Sequence, residues 1–218
     1  RFSSSCNQLT SGDGLPIADV LSESEIQQAC DAVGVAGDDD SPIYTTALTL
    51  WAFITQALSG SSSCVAAVAR IAAARLAMGL PPCSTFTGAF CKARARLSES
   101  LIRQLTYQVG NATEDEAPDD WRWHGRRALM VDGFQCTMLD TDENQAAYPQ
   151  PRSQKPGLGF PQARVVGLLT LATASLVGAA LGRCRGKKTG ETALFRQLLD
   201  CIRPGDVVVA DRYYCNDW

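Results

Sequence analysis

The sequence predicts an α/β domain built on a mixed sheet, preceded by an all-α domain. Up to residue 110, apolar side chains recur at helical spacing. After residue 120, short apolar runs typical of strands alternate with turn residues. The chain has 218 residues, of which 45% are hydrophobic and 20% are charged. This balance fits one large or two small globular domains, and it excludes disordered, collagen-like and disulfide-dense proteins.

The first half of the chain carries the signals of helix starts and stops. Ser22 and Glu25 form a capping box, in which the hydroxyl and the carboxylate satisfy N–H groups at a helix start. The Ser- and Gly-rich residues 1–20 predict an irregular segment, and the acidic run 38–40 predicts a solvated loop. Residues 21–110 are therefore predicted to be an all-α module with helices at about 22–33, 44–58, 63–78, 84–96 and 98–109.

An acidic linker is predicted at residues 111–120, which hold five acids, one proline and no apolar period. Residues 121–218 then form the α/β domain. Two short apolar runs, 128–131 and 134–139, each end in aspartate, and a loop with four prolines follows at 141–163.

The rest of the domain predicts a β-hairpin, a helix and a strand that returns parallel to the first. The hairpin strands are 164–171 and 176–182, the helix is 191–202, and the buried strand is 207–210. The uncharged run 165–182 is long enough to raise a transmembrane alternative. Its glycine, serine and threonine residues favour the hairpin instead, so no membrane contact is expected.

The charge distribution keeps a nucleic-acid partner open. A net charge of −3 argues against such a partner when it is taken over the whole chain. However, residues 61–110 hold six bases against one acid, and residues 121–218 hold thirteen bases against nine acids. These two stretches are basic enough to meet phosphates.

The cysteine and histidine content gives no support for zinc. Nine cysteines include no Cys-x-x-Cys pair, and His124 is the single histidine. A reduced, cytosolic compartment is the simplest interpretation.

Asp132 and Asp211 are the candidate chemical residues, because each follows a short apolar run at the expected carboxyl end of a strand. If the two strands are neighbours, the carboxylates converge at one edge and suit Mg²⁺ or Mn²⁺. The alternative is that each aspartate only ends its strand as a turn former, and spacing alone favours that alternative.

Several short motifs occur around these aspartates and upstream of them, in a fixed order and spacing. These are Thr49-Leu50-Trp51-Ala52-Phe53, Cys91-Lys92-Ala93-Arg94, Val131-Asp132-Gly133, Asp140-Thr141-Asp142-Glu143-Asn144, Gly159-Phe160-Pro161-Gln162-Ala163-Arg164, and Pro204-Gly205-Asp206 through Ala210-Asp211-Arg212-Tyr213. Together they resemble the DDE transposases of the insertion-sequence-four type, whose catalytic domain is ribonuclease-H-like, and the resemblance runs from about residue 15 to residue 218.

The resemblance implies an enzyme that cuts and joins DNA at the ends of an insertion sequence. Asp132 and Asp211 would be the first two catalytic, Mg²⁺- or Mn²⁺-binding carboxylates, and Arg212 would contact phosphate or order the metal site. The family's third carboxylate lies in a later Tyr-Arg-Glu-Lys signature, which this sequence does not contain. Glu143 and Glu191 precede Asp211, so neither fits that role. The expectation is a ribonuclease-H-like domain truncated before its last ligand and inactive by itself.

Double-stranded DNA, at element ends and at the target, is the partner that the resemblance implies, together with self-association in a synaptic complex. The compartment would be prokaryotic cytoplasm, in association with the nucleoid. A solvated face is the alternative for each basic cluster. The candidate DNA contacts are Lys92, Arg94, Arg96, Arg164, Lys187, Lys188 and Arg212.

Two alternative functions stay open at the level of the sequence. One is a non-catalytic DNA-binding or inhibitory transposase fragment. The other is a structure-specific nuclease on the same fold.

Overall fold

The computed structural model describes residue 17 and residues 21–35 and 43–214. The acidic loop predicted at 38–40 and nearly all of the irregular segment predicted at 1–20 lie outside these residues. The chain divides into two compact units, Arg1–Leu105 and Thr106–Trp218.

The first unit is helical, as the sequence predicts. Helix α1 (Glu23–Val33) begins at the capping box: the Glu25 N–H donates to Ser22 Oγ at 3.3 Å, and the Ser22 N–H donates to Glu25 Oε2 at 2.8 Å. Gly34 ends the helix with a φ of 66°, a conformation that glycine adopts without strain. Three further helices are α2 (Thr46–Leu58), α3 (Cys64–Ala77) and α4 (Gly88–Arg96).

Two apolar clusters hold this unit together. The first brings α1 and α2 against the start of the next helix through side chains such as Ile26, Leu50 and Leu101. The second packs α2, α3 and α4 around Val68 and Phe90, which are both fully buried. The apolar residues that recur at helical spacing in the sequence therefore form the inward faces of these helices.

Helix α5 (Glu99–Asp115) ends later than predicted, so the first half of the predicted linker is helical. It continues through Gly110, where the sequence predicts a stop, so residues 111–115 are helical and Glu114 is buried. The reason is close packing: a Cβ at position 110 would collide with the Leu176 carbonyl. Gly110 therefore permits a close approach and does not end the helix.

The second unit contains a four-stranded mixed sheet in the order β3-β2-β1-β4. The strands are β1 (Ala128–Thr137), β2 (Gln162–Thr170), β3 (Leu176–Arg183) and β4 (Val207–Val209). The β1–β2 and β2–β3 pairs are antiparallel and the β1–β4 pair is parallel. The predicted hairpin and parallel return strand are confirmed.

The prediction of two separate apolar runs at 128–131 and 134–139 is wrong, because β1 is one continuous strand of ten residues. Asp132 and Gly133 lie inside it, and they do not form the turn expected after a short apolar run. Their partners in β2 are Gly167 and Val166. Continuous pairing with a nine-residue neighbour outweighs the local turn preference of the Asp-Gly dipeptide.

The connections differ from the sequence-based expectation in two places. A short helix α6 (Asp142–Ala147) lies in the segment expected to be all loop, with its first turn capped by Thr141. Helix α7 (Glu191–Phe195) begins where the sequence predicts but continues as a 3₁₀ helix, Arg196–Cys201. Among the described residues, no helix is long and apolar enough to cross a membrane.

The hydrophobic core of this unit lies between α7 and one face of the sheet. Leu129 and Val131 of β1 pack there with Leu194 and Phe195 of α7. Tyr214, in a final 3₁₀ turn, packs its ring edge-on against Phe195 at 5.6 Å. The alternate residues of β1 point to the other face.

Candidate active site

The parallel pairing of β1 and β4 brings Asp132 and Asp211 to the same end of this strand pair, Asp132 within β1 and Asp211 just after β4. Met130 is aligned with Val209 in the register of this pair. Asp132 lies two residues beyond Met130, and Asp211 lies two residues beyond Val209. Asp132 therefore shares the face of β1 that carries Met130, and Asp211 follows the end of β4 at the same end of the strand pair.

The two carboxylates are exposed, and each is held by a local backbone contact. The Gly133 N–H donates to Asp132 Oδ1 at 2.8 Å, and the Tyr213 N–H donates to Asp211 Oδ1 at 2.6 Å. Among the described residues, no hydrogen bond reaches the second oxygen of either carboxylate. One oxygen of each group is therefore oriented by the backbone, while the other is available to a ligand.

Glu191, at the first position of α7, lies next to this pair. A Cβ at position 133 would stand 2.7 Å from the Glu191 carboxyl carbon, so the two residues pack closely only because residue 133 is glycine. The Tyr214 hydroxyl donates to Glu191 Oε2 at 3.4 Å. Glu191 thus touches the residue that follows Asp132 and the 3₁₀ turn that follows Asp211.

The Tyr214 hydroxyl is buried, and three carboxylates lie near it. Burial is the largest factor that raises the pKa of Tyr214 above its usual range, and the charges of Glu191, Asp132 and Asp211 raise it further. The hydroxyl therefore stays protonated at all ordinary pH values, and it is a permanent donor to Glu191.

Two carboxylates, and not three, make up the donor set that faces outward. Within the described ranges, no group of three His, Cys, Asp or Glu side chains could hold one metal ion. Asp132 points to the open face, whereas Gly133 and the neighbouring Glu191 belong to the side covered by α7. Asp132 and Asp211 nevertheless offer the oxygen donors that Mg²⁺ and Mn²⁺ prefer, so these residues fit a weakly held divalent ion.

The opposite end of the same strand pair is closed by a buried ion pair. Arg127 precedes β1 and Asp206 precedes β4, and their side chains are 6% and 5% exposed. Arg127 Nε donates to Asp206 Oδ1 at 3.1 Å, and Arg127 Nη2 donates to the Cys201 carbonyl at 3.0 Å. This contact joins the segments that lead into β1 and β4, so we expect it to stabilise the register of the two strands.

The basic residues expected to meet DNA are divided between structural and exposed positions. Arg94 is partly buried, donates to Gln56 Oε1 at 3.2 Å and lies 5.9 Å from the ring centres of Phe53 and Phe90. Arg164 donates to the Thr189 carbonyl at 3.0 Å and forms an ion pair at 3.8 Å with Glu191. The exposed positions are those of Lys92, Arg96, Lys187, Lys188 and Arg212.

Asp132, Asp211 and the adjacent Arg212 lie at the same end of the β1–β4 pair, and Glu191 lies beside Gly133. Chain order excludes Glu191 only as the family's third carboxylate. A topological signal could have found it: β3 runs parallel to β1, so the helix after β3 starts near the edge where β1 and β4 place their aspartates.

Comparison with known proteins gives one similarity over part of the chain. The protein described as transposase InsG for insertion sequence element IS4, from Escherichia coli (strain K12), is 29% identical over 127 residues. The match covers 58% of this chain and 28% of the relative, so the chain spans less than a third of the curated relative's length. No family model matches the chain, and no solved structure matches it.

Proposed function

We propose that the chain is part of a DDE-type transposase, whose ribonuclease-H-like domain uses Asp132 and Asp211 to hold a divalent metal ion during DNA strand cleavage and transfer. The observation that carries this proposal is the pair of exposed aspartates at one end of two neighbouring parallel strands, Asp132 within β1 and Asp211 just after β4. The distant similarity to an insertion-sequence transposase supports the same class of function.

The sheet supports the more specific fold assignment. An antiparallel β1-β2-β3 meander followed by a helix and a β4 parallel to β1 is the topology expected of a ribonuclease-H-like domain. It places Asp132 in the first strand and Asp211 directly after the fourth.

The carboxylates act by position and charge. When bound, Mg²⁺ or Mn²⁺ would activate an attacking oxygen and stabilise a leaving oxygen at a phosphodiester. Asp132 and Asp211 offer their oxygens from the same end of the strand pair, while the Gly133 and Tyr213 N–H groups orient one oxygen of each carboxylate. Exposed Arg212 meets the DNA phosphate beside them, as guanidinium groups commonly do.

DNA binding draws on exposed basic side chains. Lys187 and Lys188 lie in the turn between β3 and α7, and Lys92 and Arg96 lie one helical turn apart on α4. We expect Arg94 and Arg164 to order their neighbours and to make weaker DNA contacts, because both already have protein partners. Self-association on paired DNA ends belongs to the same proposal.

A non-catalytic DNA-binding or inhibitory role is the second candidate. The structure supports it in one respect: among the described residues, Asp132 and Asp211 have no third carboxylate grouped with them that could share a metal ion.

Mobility-shift and nicking assays separate the two candidates. The chain should bind duplex DNA at low salt, and Mn²⁺ should strengthen this binding in the wild type but not in Asp132→Asn or Asp211→Asn. Asp200→Asn is the control, because Asp200 is exposed and lies on the 3₁₀ helix after α7. Absence of any DNA binding would overturn both candidates. Metal-dependent nicking of a supercoiled plasmid by the wild type would rule out the non-catalytic one.

A further inference from the structure

Glu191 is the acidic residue of this region that the proposed function leaves unused. It is partly buried, with 28% of its side chain exposed. Partial burial of a carboxylate is costly unless it is hydrogen-bonded or paired. Its contacts come from three different elements: β1, the 3₁₀ turn after Asp211, and β2.

The first contact is with the backbone beside Asp132. Residue 133 has no side chain at the point where Glu191 approaches, and any Cβ there would stand 2.7 Å from the Glu191 carboxyl carbon. Gly133 also donates the N–H that orients Asp132 Oδ1. Glu191 therefore packs against the peptide that holds the first aspartate in place.

The second contact is with the turn that follows Asp211. The Tyr214 hydroxyl, on a side chain that is 3% exposed, donates to Glu191 Oε2. Tyr214 belongs to the 3₁₀ turn Arg212–Tyr214. In the same turn the Tyr213 N–H donates to Asp211 Oδ1. Glu191 therefore also restrains the backbone that holds the second aspartate.

The third contact is with β2. Arg164 Nε is buried, has no hydrogen bond, and lies 3.8 Å from Glu191 Oε1. The distance is that of an ion pair too long for a hydrogen bond. Arg164 is aligned with Gln135 of β1. The positive charge on Arg164 draws Glu191 toward the sheet.

We propose that Glu191 is a positioning residue that fixes the separation and orientation of Asp132 and Asp211 for a divalent ion. This inference rests on the proposed function, since it presupposes that the aspartates bind metal. Glu191 acts through Gly133 and Tyr214. Outer residues of this kind orient the groups that touch an ion, and their loss typically weakens metal affinity about 10- to 100-fold.

The test is Mn²⁺ affinity of the 218-residue chain, measured by electron paramagnetic resonance of free Mn²⁺. Glu191→Ala should weaken binding about 10-fold or more. Glu191→Gln should weaken it less, because the amide oxygen still accepts from Tyr214, and Tyr214→Phe should also cause a partial loss. Glu143→Ala is the matched control: Glu143 is exposed on α6 and should leave the affinity unchanged.

The outcomes distinguish this inference from the proposed function. If Asp132→Asn abolishes binding while Glu191→Ala binds within about twofold of the wild type, the inference fails and the carboxylate pair stands. Equal losses in Glu191→Gln and Glu191→Ala would mean that the hydrogen bond from Tyr214 contributes nothing, which contradicts positioning through Tyr214. If the wild type binds no Mn²⁺, both proposals fail. Circular dichroism melts of each variant exclude loss of the fold as the cause.

Discussion

The two ends of the β1–β4 strand pair show opposite uses of charge on the same piece of sheet. At one end, Arg127 and Asp206 form a buried pair of opposite charges with several hydrogen bonds. At the other end, Asp132 and Asp211 place two like charges in solvent, and each has a backbone N–H as partner. The opposite charges of Arg127 and Asp206 attract each other and hold the two strands together. The like charges of Asp132 and Asp211 oppose folding slightly and attract a cation. We therefore expect the first end to determine stability and the second to determine function.

Breaking the buried Arg127–Asp206 ion pair should cause the largest loss of stability. Arg127→Met leaves Asp206 buried without its cation, which typically costs about 3–5 kcal/mol in the free energy of unfolding. Urea denaturation followed by circular dichroism measures this loss. The double variant Arg127→Met with Asp206→Leu is the control, because replacing both charges by apolar groups should recover most of the stability. A loss below about 1 kcal/mol in the single variant would show that this end does not hold the register.

The same ion pair should also make the stability of the fold depend on pH. Burial tends to raise the pKa of Asp206, but hydrogen bonds from Arg127 and from the Arg203 N–H outweigh it and lower the pKa below its usual 3.8. A lowered folded pKa contributes stability that is present above the unfolded pKa and is lost as the pH falls through the folded one. The free energy of urea unfolding should therefore fall more steeply below about pH 4 in the wild type than in Asp206→Asn. Parallel curves for the two proteins would contradict this prediction.

At the end that carries Asp132 and Asp211, removal of the Arg212 side chain should weaken binding to DNA phosphate without loss of the fold. Arg212→Ala should reduce the slope of DNA affinity against salt concentration by about one phosphate contact. The measurement is fluorescence anisotropy on a duplex over a range of salt. Arg152→Ala removes an equal charge from an exposed position in the loop after α6 and should change the slope less. Equal changes would indicate a general effect of net charge.

The smallest effect on stability is expected at the two aspartates. Asp132→Asn or Asp211→Asn removes a like-charge neighbour and disturbs no buried contact, so the free energy of unfolding should change by less than about 0.5 kcal/mol. Urea denaturation without divalent ions provides the value. A loss comparable to that of Arg127→Met would mean that the aspartates are structural and that the contrast between the two ends is wrong.

Local signals in the sequence predicted the features that local forces determine. The capping box at Ser22 and Glu25, the β2–β3 hairpin and the apolar strand before Asp211 all depend on residues close in the chain. The sequence also pointed to Asp132 and Asp211 through the resemblance of their neighbouring words to a known family.

Features that depend on distant contacts were predicted wrongly or missed. Gly110 has the same local signature as a helix stop, but its packing on the Leu176 carbonyl lets α5 continue. Gly133 has the signature of a turn, but pairing with β2 keeps it in a strand. Glu191 was excluded by its order in the chain, although the path from β3 through α7 brings it beside Gly133. Neither periodicity nor capping chemistry carries information about such approaches.

The central claim is that Asp132 and Asp211 bind one metal ion together. Isothermal titration of Mn²⁺ into the wild type, the two single asparagine variants and the double variant tests it most directly. A shared ion predicts that either single substitution loses nearly as much affinity as both together, because the effects of coupled groups are not additive. Independent losses that sum in the double variant would show that the aspartates act separately and would contradict the claim.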